Sequence, residues 1–211
     1  MIPPDTIKIP FKCSICVGIY LRDRNLSGKS ILNMLYFMYP IKGWYDMKIL
    51  VLSDSHSALS FMRNCIEAIK PDHMIHLGDH FDDACAIAEE YPHIPMTQVP
   101  GNCDRYRCPP FVKEISVEKV GGIYFYLTHG HRHMVKQRMD MLLHDARKCK
   151  VAATLYGHTH IADCHQEEDG LWVLNPGSCG YYGGSAGLIE TNNGKIVSCR
   201  IIRQENLEEF A

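Results

Sequence analysis

The pattern of apolar and polar positions changes character at Met47 and is regular from there on. Lys48–Ser53 (KILVLS) is a short β-rich apolar run of the kind that fills a strand buried on both faces. Phe61, Cys65 and Ala68, with Met62, Ile66 and Ile69, then recur at helical spacing, and Ser57 stands where a helix cap is expected. His73–Leu77 reads as a second strand, Asp83–Tyr91 as a helix, and Met96–Val99 as a third strand cut by Pro100-Gly101. Val112–Lys119 and Ile123–Thr128 flank Gly121-Gly122, which predicts a hairpin. Gln137–Cys149 has an amphipathic helical period, and Val151–Tyr156 reads as a strand. Further strands are expected at Ala162–Gln166, Leu171–Leu174, Gly187–Thr191 and Lys195–Arg203, with turns at Glu168-Asp169-Gly170 and Asn192-Asn193-Gly194. Glu205–Glu209 reads as a solvated tail. The chain opens β-α-β-α-β and closes mainly in hairpins, the order of an α/β protein with mixed sheets.

Residues 1–46 lack this regularity. No small-residue cleavage signature follows the apolar Cys13–Leu21, so a signal peptide is not expected. Two readings stay open: an N-terminal extension that is disordered or loosely docked, and a natural start at Met47, where MKILVLSDSH begins a strand at once. The domain proper is taken as 47–211. Gly28-Lys29-Ser30 ends like a phosphate-binding loop, but Asp23 stands where that loop needs its first glycine. Cys16 and Arg22 have a cysteine-phosphatase spacing that composition alone produces often. Neither is adopted, nor is the lone Cys13/Cys16 pair as a zinc site.

Composition narrows the class. The 211 residues carry a net charge of −2, so no overall basic field recruits nucleic acid or membrane. No apolar run reaches the roughly 18–20 residues that span a bilayer. Ten cysteines scattered through the chain read as reduced, mostly buried thiols of a cytoplasmic protein. Six of the twelve histidines lie between His129 and His160.

The chemistry lies in five blocks, each at a strand end: Asp54-Ser55-His56, Gly78-Asp79-His80, Gly101-Asn102-Cys103-Asp104, Thr128-His129-Gly130-His131 and Gly157-His158-Thr159-His160. In open α/β sheets, ligands bind beyond the carboxyl ends of strands, so segments distant in sequence can deliver ligands to one crevice. Carboxylate, imidazole and amide oxygen together suit Mn, Fe, Ni, Zn or Mg rather than a thiolate-selected ion. D-x-H and H-x-H in extended backbone place both side chains on one face. The glycines before Asp79, Asn102 and His158 are expected to let the backbone turn sharply.

In this order the blocks resemble the signature of the calcineurin-like metallophosphoesterase superfamily: D-x-H, G-D, G-N-x-[DE], G-H and G-H-x-H. G-N-C-D, T-H-G-H and the downstream Asn175-Pro176-Gly177-Ser178 resemble its small prokaryotic branch, the YfcE-type phosphodiesterases. The resemblance runs from Met47 to about Arg203. It implies two mixed β-sheets packed as a sandwich, flanked by helices, with a site for two divalent ions, manganese foremost. It implies Asp54, His56 and His160 on the first ion, Asn102, His129 and His158 on the second, and Asp79 bridging. The implied reaction is phosphodiester hydrolysis by a two-metal-activated hydroxide. The implied partner is a small phosphodiester, not a membrane or a long nucleic acid, and the family implies homo-oligomers.

One position departs from the wider superfamily. Phosphatase members carry G-N-H-E, and this chain has Cys103 and Asp104 there. A neutral thiol replaces an imidazolium poorly. The general acid therefore stays open among His131, His133, His80 and Arg105, with Asn102 and His131 taken as the catalytic pair. The Tyr181-Tyr182-Gly183-Gly184 loop is placed near the site. Two other readings share the fold: a non-catalytic scaffold like the retromer subunit, and a phosphomonoesterase or nucleotidase. All seven ligand positions are filled here, which a scaffold does not need.

Overall fold

In the computed structural model, residues 46–210 are described. The readings made for 1–45 lie outside them. In chain order the elements are β1 (Met47–Leu52), α1 (Leu59–Ile69), β2 (His73–His76), α2 (Phe81–Glu90) and β3 (Met96–Gln98). They continue with β4 (Ile115–Val120), β5 (Ile123–Thr128), α3 (Asp140–Lys148), β6 (Ala153–Leu155) and β7 (Asp163–Gln166). β8 (Trp172–Asn175), β9 (Ser185–Asn192) and β10 (Lys195–Arg203) complete the strands.

The strands form two five-stranded sheets, ordered β10-β9-β1-β2-β3 and β4-β5-β6-β8-β7. Each holds three neighbouring parallel strands, β1-β2-β3 at one end of the first sheet and β5-β6-β8 in the middle of the second, and the remaining pairings are antiparallel. β1 shows why its apolar run is continuous. Ile49 and Val51 turn inward onto Phe125, Leu127, Leu155 and Leu174 of the facing sheet. Leu50 and Leu52 turn outward onto Phe61, Met62, Cys65 and Ile69 of α1. Alternate side chains of a strand point to opposite faces, and here both faces are covered. On the far side, Leu142 and Ala146 of α3 cover Tyr126 and Val173.

The two short hairpin turns are as the sequence indicates. Gly121 and Gly122 join the Val120–Ile123 pair at φ 58° and 84°, and Asn193-Gly194 turn at 50° and 70° between β9 and β10. Two successive residues at positive φ match the twist of the flanking strands.

Several expectations are corrected. α1 starts at Leu59 with no side-chain cap. Ser57 instead sits at φ 69° and gives its N–H to Asp83 Oδ2 at 2.8 Å. α2 begins at Phe81, because the Asp104 carboxylate takes the Phe81 N–H at 2.8 Å and anchors an earlier first turn. α3 begins at Asp140, since residues 134–138 are held in turns by bonds to the Met134 carbonyl. The C-terminal tail is a 3-10 helix, Gln204–Phe210, with Leu207 buried in the α1 cluster and the Arg200 guanidinium 5.0 Å from the Phe210 ring centre. Of eight described cysteines only Cys65 and Cys179 are buried, so the thiols are not mostly interior. Among the described residues no helix is long and apolar enough to cross a membrane.

Candidate metal centre

β1, β2, β5 and β6 each end at the same rim, and the loop after each carries polar side chains into it. The backbone there is strained. Asp54, His56, Asp79, His158 and His160 all take positive φ, between 43° and 70°. Left-handed backbone at non-glycine residues costs on the order of 1–3 kcal/mol each and collects where function over-determines the geometry.

Two glycines serve by their size. A Cβ on Gly101 would collide with the Asp79 carboxylate, and one on Gly157 would collide with Ser53 Oγ and press on Asp54. The chain does turn after each, but neither has positive φ, so what requires glycine at these two positions is close approach. Gly78, at φ 96°, does turn as expected.

Asp54, His56, Asp79 and His160 offer ligand atoms that all lie within 4.8 Å of one another. The Asp54 carboxylate is fully buried. Its Oδ2 accepts from Ser53 Oγ at 2.6 Å and the His158 N–H at 3.1 Å, and Oδ1 lies 3.0 Å from His160 Nε2. Asp79 Oδ1 accepts the Cys103 N–H at 2.9 Å, while Oδ2 lies 3.5 Å from His129 Nε2. Asp79 thus belongs to the first four and also faces a second group. There the His129 and His158 rings are 5.1 Å apart, with His131 5.6 Å from His129 and 6.1 Å from His158. Asn102 is exposed at the head of a 3-10 turn, its amide nitrogen 3.4 Å from Cys103 Sγ.

The charges suit a cation. His129 Nδ1 lies 2.8 Å from the Leu77 carbonyl, so Nδ1 carries the proton and Nε2 is left facing Asp79 and Asp54. Burial pushes the Asp79 carboxyl up, but the facing His129 imidazole and the Cys103 N–H outweigh it and hold Asp79 well below the usual carboxylate range. Burial also disfavours protonated His129, yet the two facing carboxylates raise its pKa. Burial, with neighbouring imidazoles, lowers His56 and His131, and takes His158 down to about 4. These three are neutral, the ligand form of imidazole, near pH 7. Asp54 Oδ1, His56 Nε2 and His129 Nε2 are buried and make no hydrogen bond, although ring nitrogens and carboxylate oxygens face one another there. Buried polar atoms are rarely left so, and divalent cations bound among them would satisfy all three. The residues fit the group.

The general-acid candidates separate. His133 turns away, its Nε2 3.0 Å from Tyr126 Oη and 3.4 Å from Asp145. Arg105 is exposed and lies over the Tyr106 ring. His80 packs its ring 4.8 Å from His56 and sets Nδ1 3.6 Å from Asp83. His131 remains beside the second group, with Nε2 4.0 Å from Glu114 and a buried, unpartnered Nδ1. The Cys103 thiol is pushed up to about 11 by burial and the Asp79 carboxylate, so it is neutral.

Sequence reasoning missed the supports. Asp83 Oδ2 takes Ser55 Oγ at 2.7 Å as well as the Ser57 N–H, fixing the Asp54–His56 loop. Asp104 joins the Gly101 N–H at 2.7 Å to that of Phe81, clamping two loops together. Ser178 Oγ donates to the Asp54 carbonyl at 2.7 Å, and Asn175 Nδ2 to the Gly157 carbonyl and Thr159 Oγ1. Of these supports, Asp104 and Asn175-Pro176-Gly177-Ser178 stood out beforehand, through the family resemblance, but without the bonds they make. Tyr181, in the loop placed near the site, stacks on His160 at 5.2 Å and meets His56 edge-on at 4.8 Å.

Comparison with known proteins agrees with this geometry. Residues 47–194 match the calcineurin-like phosphoesterase superfamily domain. A probable metallophosphoesterase of Mycoplasma pneumoniae is 34% identical over 134 residues, 62% of this chain and 78% of that one. A protein named as a phosphodiesterase from Methanocaldococcus jannaschii is 29% identical over 165 residues, 69% of this chain and 93% of that one. Among solved structures, Vps29 of Chaetomium thermophilum superposes with a TM-score of 0.57 at 17% identity, covering 74% of this chain and 95% of that one, a likeness of fold alone. With the match spanning most of the chain and the ligand-rich rim where it is, the protein belongs to the calcineurin-like phosphoesterase superfamily.

Proposed function

We propose that the protein is a phosphodiesterase that works with two divalent metal ions, manganese foremost. The observation that carries this reading is the position of Asp79. Its carboxylate lies among Asp54, His56 and His160 and also faces His129, so two donor groups share one side chain. The first ion would rest on Asp54, His56, Asp79 and His160, and the second on Asp79, Asn102, His129 and His158. When bound, such ions supply Lewis acidity at the phosphoryl oxygens and a nucleophilic oxygen at neutral pH.

The side chains do the rest. The Leu77 carbonyl holds His129 in one tautomer, and the Ser53 hydroxyl and His158 N–H hold Asp54. Tyr181 covers His160 and His56 on the solvent side. His131, lowered toward the neutral form by burial and the neighbouring His129, stands where it can donate a hydrogen bond to a phosphoryl or leaving oxygen. Cys103 contributes its backbone N–H to Asp79, and its neutral thiol offers little proton transfer. The substrate class favoured is a small phosphodiester with a leaving group that departs unaided. Support for a diester over a monoester comes from Cys103 at the position where phosphatases carry histidine, and from the name of the 29%-identical relative.

The test is a screen of metal-reconstituted protein against aryl phosphodiesters, cyclic nucleotides and phosphomonoesters. Metal-dependent turnover is expected on aryl diesters first. Turnover confined to monoesters would overturn the substrate class, and none with any divalent metal would overturn the enzymatic reading in favour of a scaffold.

A further inference from the structure

Cys164 on β7 and Cys199 on β10 belong to different sheets. Their sulfurs are 3.1 Å apart, the one thiol–thiol hydrogen bond among the described residues. Each strand is the outer strand of its sheet, and the two pack against each other along one seam of the sandwich. Register shows that both side chains face inward. Cys164 pairs with Leu174 and Cys199 with Ile189, and both of those partners lie in the cluster between the sheets. Cross-strand partners share a face. The ladder of β10 slips between Ile196 and Ser198, just before Cys199. A bulge of this kind bends the strand and re-aims the side chains beside it. Both cysteines are only partly buried, so a small reagent can reach the seam.

We propose that Cys164 and Cys199 are a modification site, a reversible disulfide that joins the two sheets and forms by exchange with a low-molecular-weight disulfide. A disulfide bond is about 2.0 Å long, so the sulfurs need close by only roughly 1 Å. The Cys164 thiolate attacks the reagent disulfide, and one small thiol leaves with the proton from Cys164. The Cys199 sulfur then attacks the Cys164 sulfur of the mixed disulfide, loses its proton, and displaces the second small thiol. Two protein thiols are oxidised and one small disulfide is reduced to two thiols. Cys164 is the first attacker because the sulfur–sulfur contact draws its thiol below the ordinary value, while the same contact pushes Cys199 up. β7 is the strand that leaves the loop carrying His158 and His160, so the bond would fix the far end of that loop's exit.

The experiment uses the full chain. Reduced protein is incubated with oxidised glutathione, remaining thiols are alkylated, and a non-reducing digest is read by mass spectrometry. The expected result is one peptide pair joining Cys164 to Cys199, and titratable thiols in the unfolded chain reduced by two from ten. The melting temperature should rise by about 5–15 °C and return on adding dithiothreitol, since the bond closes a loop across 35 positions. Cys164→Ser and Cys199→Ser should each lose the pair and the rise. Separate alkylated or glutathionylated peptides for the two residues would overturn the proposal, as would a link between two chains.

Discussion

Ser53 Oγ donates to Asp54 Oδ2 at 2.6 Å, within a fully buried pair. That bond leaves Asp54 Oδ1 as the oxygen turned to His160. The hydroxyl touches no candidate substrate position and acts through the carboxylate it orients.

Ser53→Ala should therefore weaken metal binding by about 10–100-fold, the usual cost of losing a partner behind a ligand. Titrating stripped protein with Mn²⁺ by calorimetry checks this. Ser53→Thr, which keeps the hydroxyl, should recover most of the affinity if the added methyl is accommodated, and unchanged affinity in the alanine variant would remove the positioning role.

Acid should destabilise the metal-free protein through buried histidines. His76 is fully buried, and burial takes its pKa down to about 4 against 6.5. Its folded pKa is depressed, so the unfolded chain binds a proton between pH 6.5 and 4 that the folded chain refuses. Stability is whole above pH 6.5 and falls as pH drops through that window, by about 3 kcal/mol from this group. In His76→Gln the slope of unfolding free energy against pH should lessen by about 1.4 kcal/mol per pH unit there. Urea melts across pH 4–7 with chelator present make the comparison.

Cys103 stands where a general acid is found in phosphatases, and a positioned acid is worth about 10²–10⁴-fold. Wild-type rates on diesters should fall steeply as leaving-group pKa rises, and Cys103→His should flatten that dependence. If His131 already protonates the leaving oxygen, the wild-type slope is shallow and His131→Ala steepens it. A series of aryl and alkyl diesters, run on the three proteins, decides between them.

The legible part of this protein was that in which one segment carries its own signal. β1 is readable because both faces of ILVLS, residues 49–53, are buried, and the hairpin at Gly121-Gly122 because two adjacent glycines permit successive positive φ. The ligand-rich blocks were readable because they recur in a recognisable order at strand ends. The supports were not. Asp83 looks like any loop carboxylate, and the clamping role of Asp104 is invisible, until the fold brings distant N–H groups to them. Their pull also displaced the expected start of α2 and took Ser57 from its cap. The tail at 204–210 has only Leu207 and Phe210 to mark it, too few to reveal a packed turn. Gly101 and Gly157 were singled out as turn residues, but what requires glycine there, crowding against Asp79 and Ser53, is a tertiary fact.

The shared position of Asp79 is the centre of the account, and one comparison tests it most directly. Wild type and Asp79→Asn are stripped, reloaded with Mn²⁺, and assayed for bound metal per chain and for aryl diester turnover. The account predicts two ions per wild-type chain, fewer in the variant, and at least a hundredfold loss of turnover with the fold intact by circular dichroism. An Asp79→Asn protein that binds both ions and hydrolyses the diester at the wild-type rate would contradict it.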